Sequence, residues 1–220
     1  MWSGLVVSVV ALVAVLFGPQ INGTRRWFGI GSYGIQPAEL AKVTVIIFTA
    51  AFLERRMDRI NEPSYSLLPI GIATGVITGL ILVQPDFGTA VTLVVIVGAM
   101  VFTAGISYRY IISGVLIVAP ILAAILWIEP YRRARLIAFL DPWSDQFGDG
   151  YQLIQSLIAV GTGGVFGRGM MDGVQKLGYL PEPYTDFIYA VIAEETGLIG
   201  ATVILLCFVV ITWRGLHVTR

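Results

Sequence analysis

Six apolar runs govern what this chain can fold into. They extend roughly from Leu5 to Phe17, Pro37 to Phe52, Leu67 to Val83, Gly88 to Ala104, Ile111 to Ile128 and Phe187 to Trp213. A membrane-crossing helix takes about 20 such residues, and an isolated strand cannot satisfy its backbone in lipid. Helix is therefore predicted for every run. The fold class that follows is all-α, a polytopic helical membrane protein with six spans in a single membrane domain over residues 1–220. The first two runs are short and need their flanks, including Trp2 and Trp27, to reach both interfaces. The first also lacks the basic leader and small-residue cleavage site of a signal peptide. Composition supports the membrane class: 13% of residues are charged and mean hydropathy is +0.83, against about 25% charged in soluble domains. The formal net charge is zero, which gives no electrostatic footprint for nucleic acid. With one cysteine, Cys207, and one histidine, His217, neither a disulfide nor a classical zinc site can form.

Between the fifth and sixth runs lies a polar, glycine-rich stretch, residues 129–186. Loops longer than about 15 residues are usually functional or disordered, and the many aromatics here argue against disorder. Its segment Leu153 to Val160 is too short to span and is predicted as a re-entrant or interfacial helix. Gly161, Gly163, Gly164, Gly167, Gly169 and Gly173 match neither the dinucleotide fingerprint nor the Walker A pattern. They are expected to let the loop fold back tightly on the spans. Basic residues do not orient the chain. With the long loop outside, Arg55, Arg56, Arg59, Arg109, Arg214 and Arg220 lie inside, while Arg25, Arg26, Arg132, Arg133, Arg135, Arg168 and Lys176 lie outside, no inward excess.

Within the runs, Gly71, Gly75 and Gly79 recur every four residues and predict a close-packing ridge. Pro37 suits a helix's first position and Glu39 its first turn. Lys42, three residues on, either pairs with Glu39 or contacts substrate, because a lysine in a span is costly unless used. Gln84-Pro85-Asp86 reads as a polar turn between two runs. Glu194 and Glu195 lie two turns into the last run and must be paired, protonated or facing water.

Asp186 stands where the loop re-enters the apolar run. It can cap the last helix or act as a base. Glycoside hydrolysis normally needs two carboxylates, one to protonate the leaving oxygen. A lipid diphosphate needs no such acid, because cations or a metal absorb its charge. One carboxylate then suffices to deprotonate an attacking hydroxyl. Arg25, Arg26, Arg132, Arg133 and Lys176 are the cations available for that division of labour.

Four phrases occur in order: Asn22-Gly23-Thr24-Arg25-Arg26-Trp27; Gln36-Pro37-Ala38-Glu39-Leu40-Ala41-Lys42; Gln84-Pro85-Asp86-Phe87-Gly88-Thr89-Ala90; and, in the long loop, Gly150-Tyr151-Gln152, Gln155 to Ala159, Gln175-Lys176-Leu177 and Tyr179 to Phe187. Together they resemble the SEDS family (shape, elongation, division and sporulation; FtsW, RodA and SpoVE). The resemblance implies a peptidoglycan glycosyltransferase that polymerises lipid II at the outer face of the bacterial inner membrane, with the long loop outside. The phrases Asp141-Pro142-Trp143 and Tyr179 to Pro183 look closer to the division and sporulation members. By carry-over Asp186 is catalytic, and Trp27, Lys42, Arg26 and Lys176 are functional positions expected to bind substrate; Arg25, Glu39 and Glu182 join them as further substrate-binding candidates. No metal ligands are assigned, and the cofactor expectation is a divalent ion, Mg or Mn, or none. The implied partners are lipid II, a class B penicillin-binding protein and other division proteins. Tyr184 departs from the His or Gln frequent in relatives and is expected to tune the site. The family has about ten spans, at about 20 residues each, so this chain is expected to be a portion of a longer product, lacking the first two and last two. Two rival readings stay open: a lipid II flippase, which leaves its cargo intact, and a non-catalytic division scaffold.

Overall fold

The protein is described by a computed structural model, which defines residues 2–20, 23–30, 33–181 and 183–218. All six apolar runs are helical: α1 (Trp2–Leu16), α2 (Pro37–Glu54), α3 (Leu67–Val83), α4 (Phe87–Thr103), α5 (Tyr108–Ile128) and, after two shorter helices, α8 (Ile188–Val218). The intervening helices are α6 (Pro130–Leu140) and α7 (Tyr151–Gly163). A small hairpin, β1 (Phe28–Ile30) and β2 (Tyr33–Ile35), is antiparallel, with Phe28 opposite Ile35. Two helices are long and apolar enough to cross a membrane by length and composition, Tyr108–Ile128 and Ile188–His217. α1, α3 and α4 are equally apolar but only 15 to 17 residues long, about 22 to 26 Å at 1.5 Å per residue. The chain divides into two compact units, Met1–Leu126 and Trp127–Arg220.

In the first unit α1 to α4 share a core. Leu5, Leu12, Val45, Phe48, Ile77, Ile81 and Leu93 fill it, and Ala38, Ala41 and Ala90 let the backbones approach. The outward faces stay apolar, with Val6, Val10, Val43, Ile47, Ile72 and Val76 all exposed. α5 buries none of its residues. A helix apolar on its outer face is the pattern expected where lipid replaces water. Among the described residues the predicted glycine ridge meets no neighbour. A Cβ placed on Gly71, Gly75 or Gly79 would meet nothing within 4 Å, whereas Ile70, Thr74, Ile77, Thr78 and Ile81 are the buried face of α3. The four-residue spacing correctly puts the glycines on one stripe, but the packed stripe is the adjacent, branched one.

The Gln84-Pro85-Asp86 turn is a knot rather than a plain connection. The buried Gln84 amide donates to the Leu12 carbonyl at 3.1 Å, reaching from the end of α3 to α1. Asp86 caps α4, accepting from the Thr89 amide at 3.1 Å and its hydroxyl at 2.9 Å. Its Oδ2 also accepts from Gln36 Nε2 at 2.8 Å, just ahead of α2. One short turn thus ties three other helices, in surroundings where each polar group needs a partner.

The second unit is organised around α7 and α8. Ala159, Leu180, Ala190 and Val191 form its small core, with Phe187 against it. The short apolar segment of the long loop is indeed helical, over Tyr151–Gly163. At Gly163 a Cβ would stand 2.1 Å from the Ala193 carbonyl oxygen, so only glycine lets α7 meet α8 this closely. α8 is broken at Gly197, where φ is 68° and ψ −167°. The break is filled by the chain that follows α7. The amides of Arg168 and Gly169 donate to the carbonyls of Glu194 and Glu195, each at 3.0 Å. Beyond the break, the amides of Leu198 and Ile199 donate to the carbonyls of Gly164 and Val165 at 2.9 and 3.3 Å. The expectation that the loop glycines let it fold back tightly holds at Gly163, Gly167 and Gly173, while Gly161 and Gly164 have open space around them.

Two substitutions test this packing. Gly197→Ala combines a left-handed φ with a Cβ 2.3 Å from the Gly167 nitrogen, so a loss of about 2 kcal/mol or more is expected, read as a lowered thermal midpoint. Gly71→Ala fills open space on a helix and is expected to stabilise by roughly 0.5–1 kcal/mol. A comparable loss at Gly71 would show that the ridge is packed after all.

Candidate functional site

The sequence-predicted site residues fall into two groups, one in each unit. In the first unit, Arg25, Arg26 and Trp27 lie on the connection from α1 into β1. The exposed Arg25 guanidinium donates to the Leu16 carbonyl at 3.2 Å, at the end of α1. Arg26 is half-buried, and its Nε meets no acceptor among the described residues. The Trp27 indole lies against the hairpin. A Cβ on Gly34 would come within 3.0 Å of its Cε3, so the absent side chain at Gly34 makes room for the ring. Past the hairpin, Pro37 opens α2 and places Glu39 in its first turn. The Glu39–Lys42 pair forms at 2.9 Å, with the Lys42 side chain 23% exposed. Of the two sequence readings for Lys42, the ion pair is thus present. A pair at this spacing on an isolated helix contributes only about 0.2–0.5 kcal/mol, which leaves the ammonium exchangeable.

In the second unit, Asp186 is exposed and stands two residues ahead of α8. The capping alternative is not what forms. The amides of Ala190 and Val191 turn to the Phe187 carbonyl, at 3.0 and 3.3 Å. Among the described residues no hydrogen bond or ion pair engages the Asp186 carboxylate. An uncommitted carboxylate at the head of a long apolar helix is suited to accept a proton from a bound hydroxyl. The neighbouring Tyr184 side chain is exposed. Glu182, named with the substrate-binding residues, lies outside the described residues.

Lys176 is differently placed. Its side chain is 10% exposed, its ammonium is paired with Glu195, and it donates to the Met171 carbonyl at 2.8 Å. Beside it, Glu194 is fully buried. Glu194 accepts from the backbone amides of Val174 and Gln175 at 3.0 and 3.1 Å and stands 3.8 Å from the Arg168 guanidinium. Two anions and two cations therefore close on one another. Of the three fates open to glutamates inside an apolar run, pairing is the one realised. Arg132, Arg133 and Arg135 lie on α6.

Sequence reasoning missed the Gln36–Asp86 link and the backbone contacts of Glu194. The only signal for the latter was a pair of glutamates followed closely by Gly197 and Gly200 inside an otherwise apolar helix. A divalent ion finds no ready ligand set: no group of three or more His, Cys, Asp or Glu assembles among the described residues. Glu194 and Glu195 are already taken by amides and cations.

Comparison with known proteins places these features in a lineage. The family model for FtsW, RodA and SpoVE, described as cell cycle protein, matches residues 1–220. The "Probable peptidoglycan glycosyltransferase FtsW" of Thiomicrospira cyclica is 42% identical over 219 residues, covering all of this chain and 56% of that protein. Its namesake in Legionella pneumophila is 42% identical over 218 residues, covering 99% and 55% respectively. The chain thus spans a little over half the length of these curated relatives. Among solved structures, a chain from a peptidoglycan synthase complex, studied for how it coordinates polymerization and crosslinking, superposes with a TM-score of 0.72 at 28% identity, covering 97% of this chain and 59% of that one. The rod shape determining protein RodA of Thermus thermophilus gives a TM-score of 0.57 at 27% identity, covering 96% and 53%. The chain belongs to the FtsW/RodA/SpoVE family of polytopic helical membrane proteins.

Proposed function

We propose that this chain carries the catalytic core of a peptidoglycan glycosyltransferase that polymerises lipid II at the outer face of the bacterial inner membrane during cell division. The observation that carries the reading is the Asp186 carboxylate, exposed and uncommitted among the described residues, immediately ahead of α8. The printed names of relatives at 42% identity support the reaction class. In this proposal the six helical runs span the membrane and residues 129–186 form the extracellular loop, with α7 as its re-entrant or interfacial helix.

Asp186 takes the proton from the acceptor sugar's hydroxyl as that oxygen attacks the donor's anomeric carbon. The new carbon–oxygen bond forms as the bond to the lipid diphosphate breaks, and the diphosphate leaves with both bonding electrons. Guanidinium groups suit a diphosphate because their planar donors meet two oxygens at once. Arg25 and Arg26 take that part, Arg26 bringing an Nε with no acceptor among the described residues. Lys176 is available to phosphate only by exchanging Glu195 for its oxygens. Lys42 and Glu39 contact substrate by opening their own weak pair. Trp27 stacks on a sugar ring or anchors at the interface, and Glu182 contributes from the loop. A class B penicillin-binding protein crosslinks the product, as the synthase-complex relative suggests, alongside other division proteins. A divalent ion, Mg or Mn, would offset the charge of the diphosphate, and no residue is assigned to hold it.

The deciding experiment incubates the full-length protein and its partner with labelled lipid II and resolves the products by size. Asp186→Ala is expected to lower polymerisation by about 10²-fold or more, with membrane insertion unchanged. Polymer at the wild-type rate from Asp186→Ala would remove the base, and intact lipid II crossing reconstituted bilayers would favour a flippase. Arg26→Ala is expected to raise KM by about tenfold, from loss of a charged hydrogen bond of about 1.5 kcal/mol, with a smaller change in kcat. A change confined to kcat would take Arg26 off the ground-state diphosphate.

A further inference from the structure

Among its described residues, the segment that leads to Asp186 has no regular structure beyond one 3-10 turn, Gln175–Leu177. Loops this irregular position a reacting group only if something rigid holds them. Two anchors do so here. One is Leu180, which is buried and packed with Ala159, Ala190 and Val191 between α7 and α8. The other is Glu194. Its two carboxylate oxygens each accept one of two consecutive amides, Oε1 from Val174 at 3.0 Å and Oε2 from Gln175 at 3.1 Å. The Gln175 carbonyl in turn accepts from the Leu180 amide at 2.9 Å, so the two anchors are joined by a direct hydrogen bond.

We propose that Glu194 is a positioning residue for the candidate base: it clamps residues 174–175 and so sets the path of the chain from Lys176 through Leu180 to Asp186. This rests on the reading of Asp186 given above. The chemistry of the clamp is specific. Two parallel N–H donors need two acceptor oxygens, which a carboxylate has and a carboxamide lacks. In Glu194→Gln, one amide N–H would face an NH2 group, donor against donor. Around the carboxylate are Arg168 at 3.8 Å, the Gly173 backbone, and Lys176 held by Glu195. Room for a side chain at Gly173 is tight. A Cβ there would come within 3.1 Å of both Glu194 Oε2 and Glu195 Cγ. The clamp is therefore also served from the loop side, by a residue that could not be alanine without displacing it.

The test uses the full-length protein with its partner and follows two signals, hydrogen exchange and lipid II polymerisation. In Glu194→Gln the amides of residues 174–180 are expected to exchange at least tenfold faster, while exchange across the far half of α8 stays as in wild type. Polymerisation is expected to fall at least tenfold in kcat, with a smaller rise in KM for lipid II from the displaced Lys176. Gly173→Ala keeps every charge and is expected to move both signals the same way, less far. Fast exchange with wild-type kcat would overturn the positioning role, and so would slow exchange in both variants. If wild type itself makes no polymer, the polymerase reading falls on its own, and the exchange data alone then uphold or overturn the clamp.

Discussion

Backbone polar groups without partners are what an apolar environment tolerates least, and the break in α8 is where this fold answers that constraint. A helix interrupted at Gly197 leaves carbonyls on one side and amides on the other with no partner inside the helix. Residues 163–169 supply both, so the interruption is a built joint between a loop and a helix. Most else in the second unit follows. Gly163, Gly167 and Gly197 are glycines because the two backbones touch. Arg168 and Lys176 are carried to Glu194 and Glu195 by the same docking. The charges are balanced in the place where unbalanced ones would be most costly.

The first unit solves a similar problem with side chains. Gln84 and Asp86 sit in a turn that would otherwise be a hinge between α3 and α4. By reaching Leu12, Gln36 and Thr89 they bind the ends of four helices together. Arg25, Arg26 and Trp27 leave this framework on one side of the hairpin, and Glu39 and Lys42 resume it on the other. The binding candidates of this unit thus lie on the connection into the hairpin and on the first two turns of α2, at the edge of an apolar body.

Much of this was legible from sequence because it depends on local pattern. Apolar runs gave helices, Pro37 gave a helix start, and clustered glycines gave a loop that packs closely. Asp186 was singled out because a lone carboxylate beside cations suits a diphosphate leaving group. What sequence could not give depends on rotation about helix axes and on register between distant segments. Nothing in the spacing of Gly71, Gly75 and Gly79 tells whether that stripe or the one bearing Ile77 faces the core. Glu194 looked like one of a pair needing a counter-ion, yet two backbone amides, which leave no trace in composition, are its closest partners. The capping choice at Asp186 likewise turned on a single residue of phase, with Phe187 accepting the first amide bonds of α8.

The joint at Gly197 also has a direction in time. Every group that fills it, from Gly163 to Lys176, is synthesised before the helix it fills. The sequence separation is short, 20 residues from Val174 to Glu194, and contacts so near in sequence form early and cheaply. When the glutamates and the broken turn of α8 leave the ribosome, their partners are already waiting. Sequence order thus lets the joint close as soon as the second half of α8 emerges.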